Sequence, residues 1–325
     1  MRIFSGIQPT GELHIGNYFG AIKQWIDLQK DHECIFSIVD LHAMTIPFKP
    51  EQMKKNILDA AITYMALGVD PSKCIIFVQS TVAEHSELSW ILNTITPIGE
   101  LERMTQFKDK SKLFRKNINA GLLTYPVLQA ADILLYQTDL VPIGEDQKQH
   151  VELTRTIARK FNHLFGETFK EPGALIPKIG GKIMGLDTPA KKMSKSLGPE
   201  NYIGMFDSSE EIKRKIKKAV TDSGKEIEFS EEKPAIANLI NIYSLFSGKN
   251  QKEIEKAFNG KGYNDFKESL ASLVSQELRP FQEKKKELEK NPEKIKEILE
   301  EGAKKAKVIA KETMQIIKEK TGISI

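Results

Sequence analysis

His14 and Asn17 stand one helical turn apart, and Lys192 and Lys195 stand three residues apart much later in the chain. An imidazole, a carboxamide and two ammonium groups form a set of donors and positive charges. Such a set suits a phosphate whose oxygens gain charge in a transition state. The first pair closes the run Pro9-Thr10-Gly11-Glu12-Leu13-His14-Ile15-Gly16-Asn17. An apolar run, Arg2-Ile3-Phe4-Ser5-Gly6-Ile7, precedes it, and an amphipathic segment at 18–29 follows, with Phe19, Ile22, Trp25, Ile26 and Leu28 at near-helical spacing. The reading is strand, glycine-bearing loop and helix start, which points backbone N–H groups and a positive dipole end at an anion. Gly16 removes a side chain where a flat ring or a phosphate must approach closely. The second pair lies in Lys192-Met193-Ser194-Lys195-Ser196, between Gly185 and Gly198, and reads as a mobile loop carrying two phosphate clamps. A glycine-rich turn alone is common in α/β proteins, and a lysine-serine run alone is the composition of a solvated loop. The two in this order carry the argument. Lys191 reads as solvated charge.

The elements that must position these groups are legible. Apolar runs at 2–7, 34–39, 73–79 and 140–143 read as strands, and the pattern at 50–67, stopped by Gly68, reads as a helix. Segments 84–94, 99–107, 122–136 and 146–165 also read as helical. Strands alternating with helices imply a parallel sheet with right-handed crossovers. Ligands of such sheets sit beyond the carboxyl ends of the strands, where 6–17, 40–44, 79–80 and 141–146 would converge. After about residue 205 only helices are expected, at 212–220, 236–246, 254–258, 265–288 and 292–320. Ser208 or Ser209 with Glu211, and Asn250, read as caps.

Composition adds bounds. The 325 residues suit two domains. The net charge of +4 is uneven: residues 1–210 carry 23 Lys/Arg against 24 Asp/Glu, and 211–325 carry 25 against 20. The later excess suits a phosphate backbone and equally a solvated helical surface. Cys34 and Cys74, each in an apolar run, read as buried thiols of a reducing compartment and exclude a four-thiolate metal site. With no signal or membrane-length apolar segment, the expectation is a soluble, cytoplasmic protein.

Asp132 is the remaining candidate. Leu128, Ala131, Asp132 and Leu135 share a helix face, so a carboxylate interrupts an apolar stripe. A buried charge is costly unless paired. Asp132 is either a surface or helix-paired residue or one held in the interior for function. His85 and His163 read as ordinary surface or cap residues.

The two phosphate segments resemble the His-Ile-Gly-His and Lys-Met-Ser-Lys-Ser signatures of class I aminoacyl-tRNA synthetases, with Asn17 in the last position of the first. Three further stretches resemble the bacterial tryptophanyl-tRNA synthetases: Phe4-Ser5-Gly6-Ile7-Gln8-Pro9-Thr10-Gly11, Ala130-Ala131-Asp132-Ile133-Leu134 and Gly144-Glu145-Asp146-Gln147-Lys148-Gln149-His150. Residues 99–104 and 121–126 are similar too, and the resemblance is strongest up to about residue 200. It implies an α/β fold: a Rossmann-like parallel-sheet catalytic domain at 1–190, the lysine loop and linker at 191–205, and an α-helical tRNA (anticodon)-binding domain at 206–325. The implied activity is adenylation of L-tryptophan by ATP, with Mg²⁺ bound through ATP and no protein metal cage, followed by transfer to tRNA(Trp).

By the resemblance, Gln8, Pro9, Thr10, Gly16, Asn17 and the Gly144-Glu145-Asp146 turn hold ATP, with Asp146 on the ribose. The backbone at Ile183 and Met193 holds adenine. Lys110, Lys192 and Lys195 reach the pyrophosphate, with Ser194 and Ser196 in the same loop. Asp132 accepts the indole N–H, while Phe4, His42, Tyr125, Val141, Ile143 and Gln147 supply walls and amino-group contacts. His42 can equally be a core histidine bonded to backbone. Gln129 departs from the family, which often carries Met there. A homodimer through the region matching 80–130 is also implied. The rival readings are a tyrosyl-tRNA synthetase, a small adenylyltransferase and a non-catalytic RNA-binding paralogue.

Overall fold

Five runs rich in Ile, Phe, Val and Cys meet as strands because branched and aromatic side chains pack well on a pleated surface. They are β1 (Arg2–Ile7), β2 (Glu33–Ile38), β3 (Cys74–Val78), β4 (Leu140–Pro142) and β5 (Gly173–Leu175). All pairings are parallel, in the order β3-β2-β1-β4-β5. Register is continuous from Arg2 opposite Glu33 to Ile7 opposite Ile38, while Ile3 faces Leu140. The strand order reverses between β1 and β4, which opens a crevice beyond their carboxyl ends. Four of the strands match the sequence reading. β5 was not expected, being three residues that begin with glycine.

The computed structural model describes residues 1–9, 11–113, 118–176 and 183–323, without the side chains of Lys110, Lys112 and Leu113. The chain divides into two compact units. Met1–Gly11, Trp25–Pro177 and Leu288–Ile325 form the first, and Glu12–Gln24 and Lys178–Glu287 form the second.

The helices follow in chain order. Residues 15–28 form α1 (Ile15–Asn17), a π-helical stretch at Tyr18–Ile22 and α2 (Lys23–Leu28), so the expected helix at 18–29 carries a wide turn at its start. Next come α3 (Asp40–Ala43), α4 (Pro50–Ala66) and α5 (Glu84–Ile95). The helix expected at 99–107 is two, α6 (Ile98–Glu102) and α7 (Thr105–Leu113). Then follow α8 (Ala120–Leu134), capped by the Asn119 side chain, and α9 (Lys148–Phe165). The second unit holds α10 (Ser209–Lys218), α11 (Pro234–Ser247), α12 (Gln251–Ala257) and most of α13 (Tyr263–Glu289). Ser208 and Asn250 cap α10 and α12 as expected.

The units differ from the division expected at 190 and 206. The final helix, α14 (Pro292–Thr321), packs on β3 in the first unit. Its buried stripe of Ile295, Leu299, Gly302, Ala306, Ala310, Met314 and Ile317 has small residues at its centre. They allow backbone to approach backbone: a Cβ at Gly302 would overlap the Ile76 carbonyl. Ala306, Ala310, Met314 and Ile317 join Phe4, Ile35, Phe77, Leu88, Val127 and Phe161 in one apolar core.

Candidate active site

In the first unit, α8 carries Asp132 into the core, where the residue is 1% exposed. Three elements meet its carboxylate. His42 of α3 places Nε2 at 2.9 Å from Oδ2, and His85 of α5 places Nδ1 at 2.6 Å from Oδ1. Gln79, at the end of β3, donates through Nε2 to both oxygens at 2.7 and 2.9 Å. Burial alone would raise the Asp132 pKa, but charge from His85, hydrogen bonds from His42 and His85, and charge from His42 win and lower it to about 2. The group is a carboxylate at neutral pH. The surface reading of Asp132 is excluded, and the His42 ring bonds this carboxylate rather than a backbone carbonyl. Asp40, buried at the start of α3, accepts the backbone N–H of Ser80 at 3.0 Å and so ties α3 to the turn that follows β3.

His85 is where the sequence reading fails. It is fully buried, and its Nε2 lies 2.8 Å from the Tyr136 hydroxyl. The signal was present: His85, Leu88, Ser89 and Leu92 fall at i, i+3, i+4 and i+7, and all four are buried. Phe4, expected as a pocket wall, stacks on Tyr136 with ring centroids 5.5 Å apart. Burial pushes the Tyr136 hydroxyl pKa well above its usual value, with the charges of Asp132 and Glu84 adding to it.

Around this cluster, Val141 and Ile143 are buried at and just beyond β4, and Gln129 lies half-buried one turn before Asp132. Tyr125 meets His42 edge-on at 6.2 Å, donates to Gln106 Oε1 at 3.1 Å and lies 3.1 Å from His150 Nε2. Burial raises its hydroxyl pKa too. Asp146 Oδ2 accepts from Gln147 at 2.8 Å and more loosely from Gln106 at 3.4 Å. At Gly144 a Cβ would stand 2.8 Å from Asp146 Oδ1, so a larger residue there would displace that carboxylate. Gln8, Glu145 and Asp146 are exposed, and Pro9 is buried.

The phosphate candidates belong to the second unit. Residues 203–205 pair with 13–15: the Ile15 N–H donates to the Ile203 carbonyl at 3.0 Å and the Met205 N–H to that of Leu13 at 2.8 Å. This fixes the helix mouth. The His14 backbone N–H donates to Asn17 Oδ1 at 3.1 Å, which leaves the amide NH₂ as the outward donor of Asn17. The His14 ring is 6% exposed, and its Nδ1 meets no hydrogen-bond partner. Burial first, then the ammonium groups of Lys195 and Lys192, push its pKa down to about 4. The imidazole is therefore neutral at pH 7. Gly16 is needed by that ring itself, since a Cβ there would stand 2.9 Å from Nδ1.

The lysine loop is a short hairpin. Met193 donates to the Ile183 carbonyl at 3.0 Å and Gly185 to that of Lys191 at 2.9 Å. Ser194 caps a single turn at Lys195–Leu197, and its hydroxyl lies 2.9 Å from that of Ser196. Lys192 and Lys195 are exposed, and among the described residues neither has an ion-pair partner. Asn201, fully buried, accepts the Ser194 N–H; the sequence reading did not single it out. Thr10 and the side chain of Lys110 lie outside the described residues. Among the described residues no group of three His, Cys, Asp or Glu side chains is placed to hold a metal ion.

A profile of the family described as tRNA synthetases class I (W and Y) matches residues 1–279. The chain is 51% identical to the tryptophan--tRNA ligase of Bacillus anthracis, over 99% of this chain and 98% of that protein. It is 50% identical to that of Caldanaerobacter subterraneus subsp. tengcongensis with the same coverage. Among solved structures, tryptophanyl-tRNA synthetase from Campylobacter jejuni, complexed with ADP and tryptophan, superposes with a TM-score of 0.86 at 43% identity, covering 99% of this chain and 100% of that one. The chain therefore belongs to the class I tRNA synthetases of the tryptophan and tyrosine group, within its bacterial tryptophanyl-tRNA synthetase family.

Proposed function

We infer that the protein joins L-tryptophan to ATP, forming tryptophanyl-adenylate and pyrophosphate, and then passes the tryptophanyl group to the 3′ end of tRNA(Trp). The observation that carries the choice of amino acid is the set of groups around Asp132. A carboxylate accepts about four hydrogen bonds. His42 and His85 take one position each, and Gln79 Nε2 lies within 2.9 Å of both oxygens, so the indole N–H joins by taking over one of the two Gln79 contacts. Val141, Ile143, Gln129, Tyr125 and His42 line the ring's surroundings, and Gln147 and Tyr125 serve the amino group.

On the phosphate side, adenylation needs positioning and neutralisation rather than a covalent nucleophile. His14 acts as a neutral donor, Asn17 offers its amide, and Lys192 and Lys195 take the charge that builds on pyrophosphate. Lys110 joins them, and Ser194 and Ser196 hold the turn. The Ile183 carbonyl and Met193 N–H bond each other, so adenine is read by the Ile183 N–H and the Met193 carbonyl. Gln8, Pro9, Thr10, Gly16, Gly144 and Glu145 complete the ATP contacts, and Asp146 receives the ribose hydroxyls. Ammonium groups give a cation no ligand, and Mg²⁺ favours oxygen over an imidazole nitrogen, so Mg²⁺ arrives as part of the substrate, on the triphosphate.

Transfer RNA is held by the helical residues of 206–325, where the basic excess lies. A homodimer through residues 80–130 is supported by Trp90 and Ile98, 74% and 64% exposed. Two free, buried thiols fit a cytoplasmic location, and among the described residues no helix is long and apolar enough to cross a membrane. ATP–pyrophosphate exchange with each of the twenty amino acids tests the reading. Exchange dependent on tryptophan is expected; preferential exchange with tyrosine, or none at all, overturns it.

A further inference from the structure

We propose that His85, backed by Tyr136, is the positioning residue that aims the Asp132 carboxylate at the tryptophan indole N–H. The inference rests on the reading of Asp132 as the indole acceptor. His42, on the short helix α3, and Gln79, on a strand end, both approach Asp132 from the loop side of the sheet. His85 comes instead from the interior, on the face of α5 that Leu88 and Leu92 bury in the core, and neither of its ring nitrogens is idle. A carboxylate only accepts, so Nδ1 must carry a proton toward Asp132 Oδ1. Nε2 in turn lies 2.8 Å from the Tyr136 hydroxyl, which is packed between Phe4 and Phe77. Both ring nitrogens in the row Tyr136–His85–Asp132 are then paired. The row fixes the ring's orientation, and the ring fixes Oδ1.

A rigid backstop matters because the substrate N–H must share the carboxylate with Gln79, whose Nε2 contacts both oxygens. Should the carboxylate turn about its Cβ–Cγ bond, the indole N–H would meet a lone pair at a poor angle, and hydrogen bonds weaken steeply with angle. His85 touches no substrate atom in this account. It acts through Asp132, and its effect is confined to ligands that present an N–H there.

The test compares tryptophan with its benzothienyl analogue, in which sulfur replaces the indole N–H at nearly the same shape. In the wild-type enzyme kcat/KM for adenylate formation should favour tryptophan. His85→Asn places an amide nitrogen where Nδ1 stood and should keep that preference within about threefold. His85→Gln carries the same amide to the Nε2 position, leaves Oδ1 held by Gln79 alone, and should shrink the preference by about tenfold or more, chiefly through KM for tryptophan, with KM for ATP unchanged. A general loss of packing would depress both substrates alike and leave the ratio intact. Should His85→Gln fail to fold, Tyr136→Phe is measured in its place, with a drop of about threefold expected. If the ratio holds in these variants while Asp132→Ala abolishes it, the role of His85 is refuted and the indole reading stands. If Asp132→Ala also leaves the ratio intact, both fall.

Discussion

Asn201 holds Ser194: its Oδ1 accepts the Ser194 backbone N–H at 2.8 Å, while its Nδ2 donates to Asp187 at 2.5 Å. Its own carbonyl accepts from Leu186 at 3.0 Å. One fully buried amide thus ties the lysine loop to the strand-like segment before it, and Gly185 leaves the room, since a Cβ there would overlap the amide. The loop has an anchored base and two exposed ammonium groups.

Asn201→Ala should therefore act on the loop alone. Losing a buried hydrogen bond costs about 1–3 kcal/mol. Single-turnover adenylate formation should slow roughly tenfold, with KM for tryptophan unchanged. An unaltered single-turnover rate would show that the anchor has no bearing on the chemistry.

Lys195→Ala should slow adenylate formation strongly and leave tryptophan affinity nearly intact, because its charge acts mainly on the pyrophosphate as it departs. The same ammonium helps hold the His14 pKa down. Its removal should move the acid limb of the rate profile to higher pH. Rapid-quench measurements across pH 4–7 report both effects.

His14 links stability to pH. Its pKa falls from 6.5 to about 4 on folding, so the unfolded chain binds the proton more tightly. The stability contribution of a neutral, buried ring is intact above pH 6.5 and drains away as pH falls toward 4. Between pH 7 and 5 the loss should be about 2 kcal/mol. Denaturant unfolding of the wild type and of His14→Gln at both pH values checks this; parallel pH dependence in the two would contradict it.

Asp132→Ala removes the acidic acceptor and strands three donors in a dry cluster. The loss in kcat/KM for tryptophan should be about 1–3 kcal/mol or somewhat more, and discrimination against phenylalanine should narrow by a similar factor. ATP binding by calorimetry should be unaffected. Wild-type tryptophan kinetics in the variant would make Asp132 a structural residue.

Gly302→Ala should destabilise the fold by about 1–3 kcal/mol, since the added methyl drives α14 off the Ile76 backbone. Urea unfolding gives the number, and a change below a few tenths would mean that the helix sits more loosely than the geometry says.

Much of this was legible beforehand, for identifiable reasons. Four strands and most helices follow from the period of apolar residues and from Ser208 and Asn250 at their caps. The residues proposed for the phosphates carry their chemistry in their types. Three things were hidden. β5 is too short to show a period. Periodicity gave α14 an apolar face, but an apolar stripe does not say which surface it covers, and only Gly302 hints at a close backbone approach. His85 escapes a reading by residue type, although its spacing to Leu88 and Leu92 marks the buried face. Asn201 has no signature at all, since its work is done through the backbone of residues seven and fifteen places away.

The seat of α14 on β3 also sets an order of events during synthesis. β3 is an outer strand of the sheet, and its covering helix begins only at Pro292. While the ribosome makes the chain between Val78 and Pro292, on the order of ten to forty seconds at ordinary rates, that strand has no lid. Nascent chains clustered on one messenger expose the same bare edge to one another, and an unpaired edge is a template for cross-chain pairing. The last helix to emerge is thus the one that closes the sheet, and the yield of folded protein should depend on translation speed over the residues that precede it.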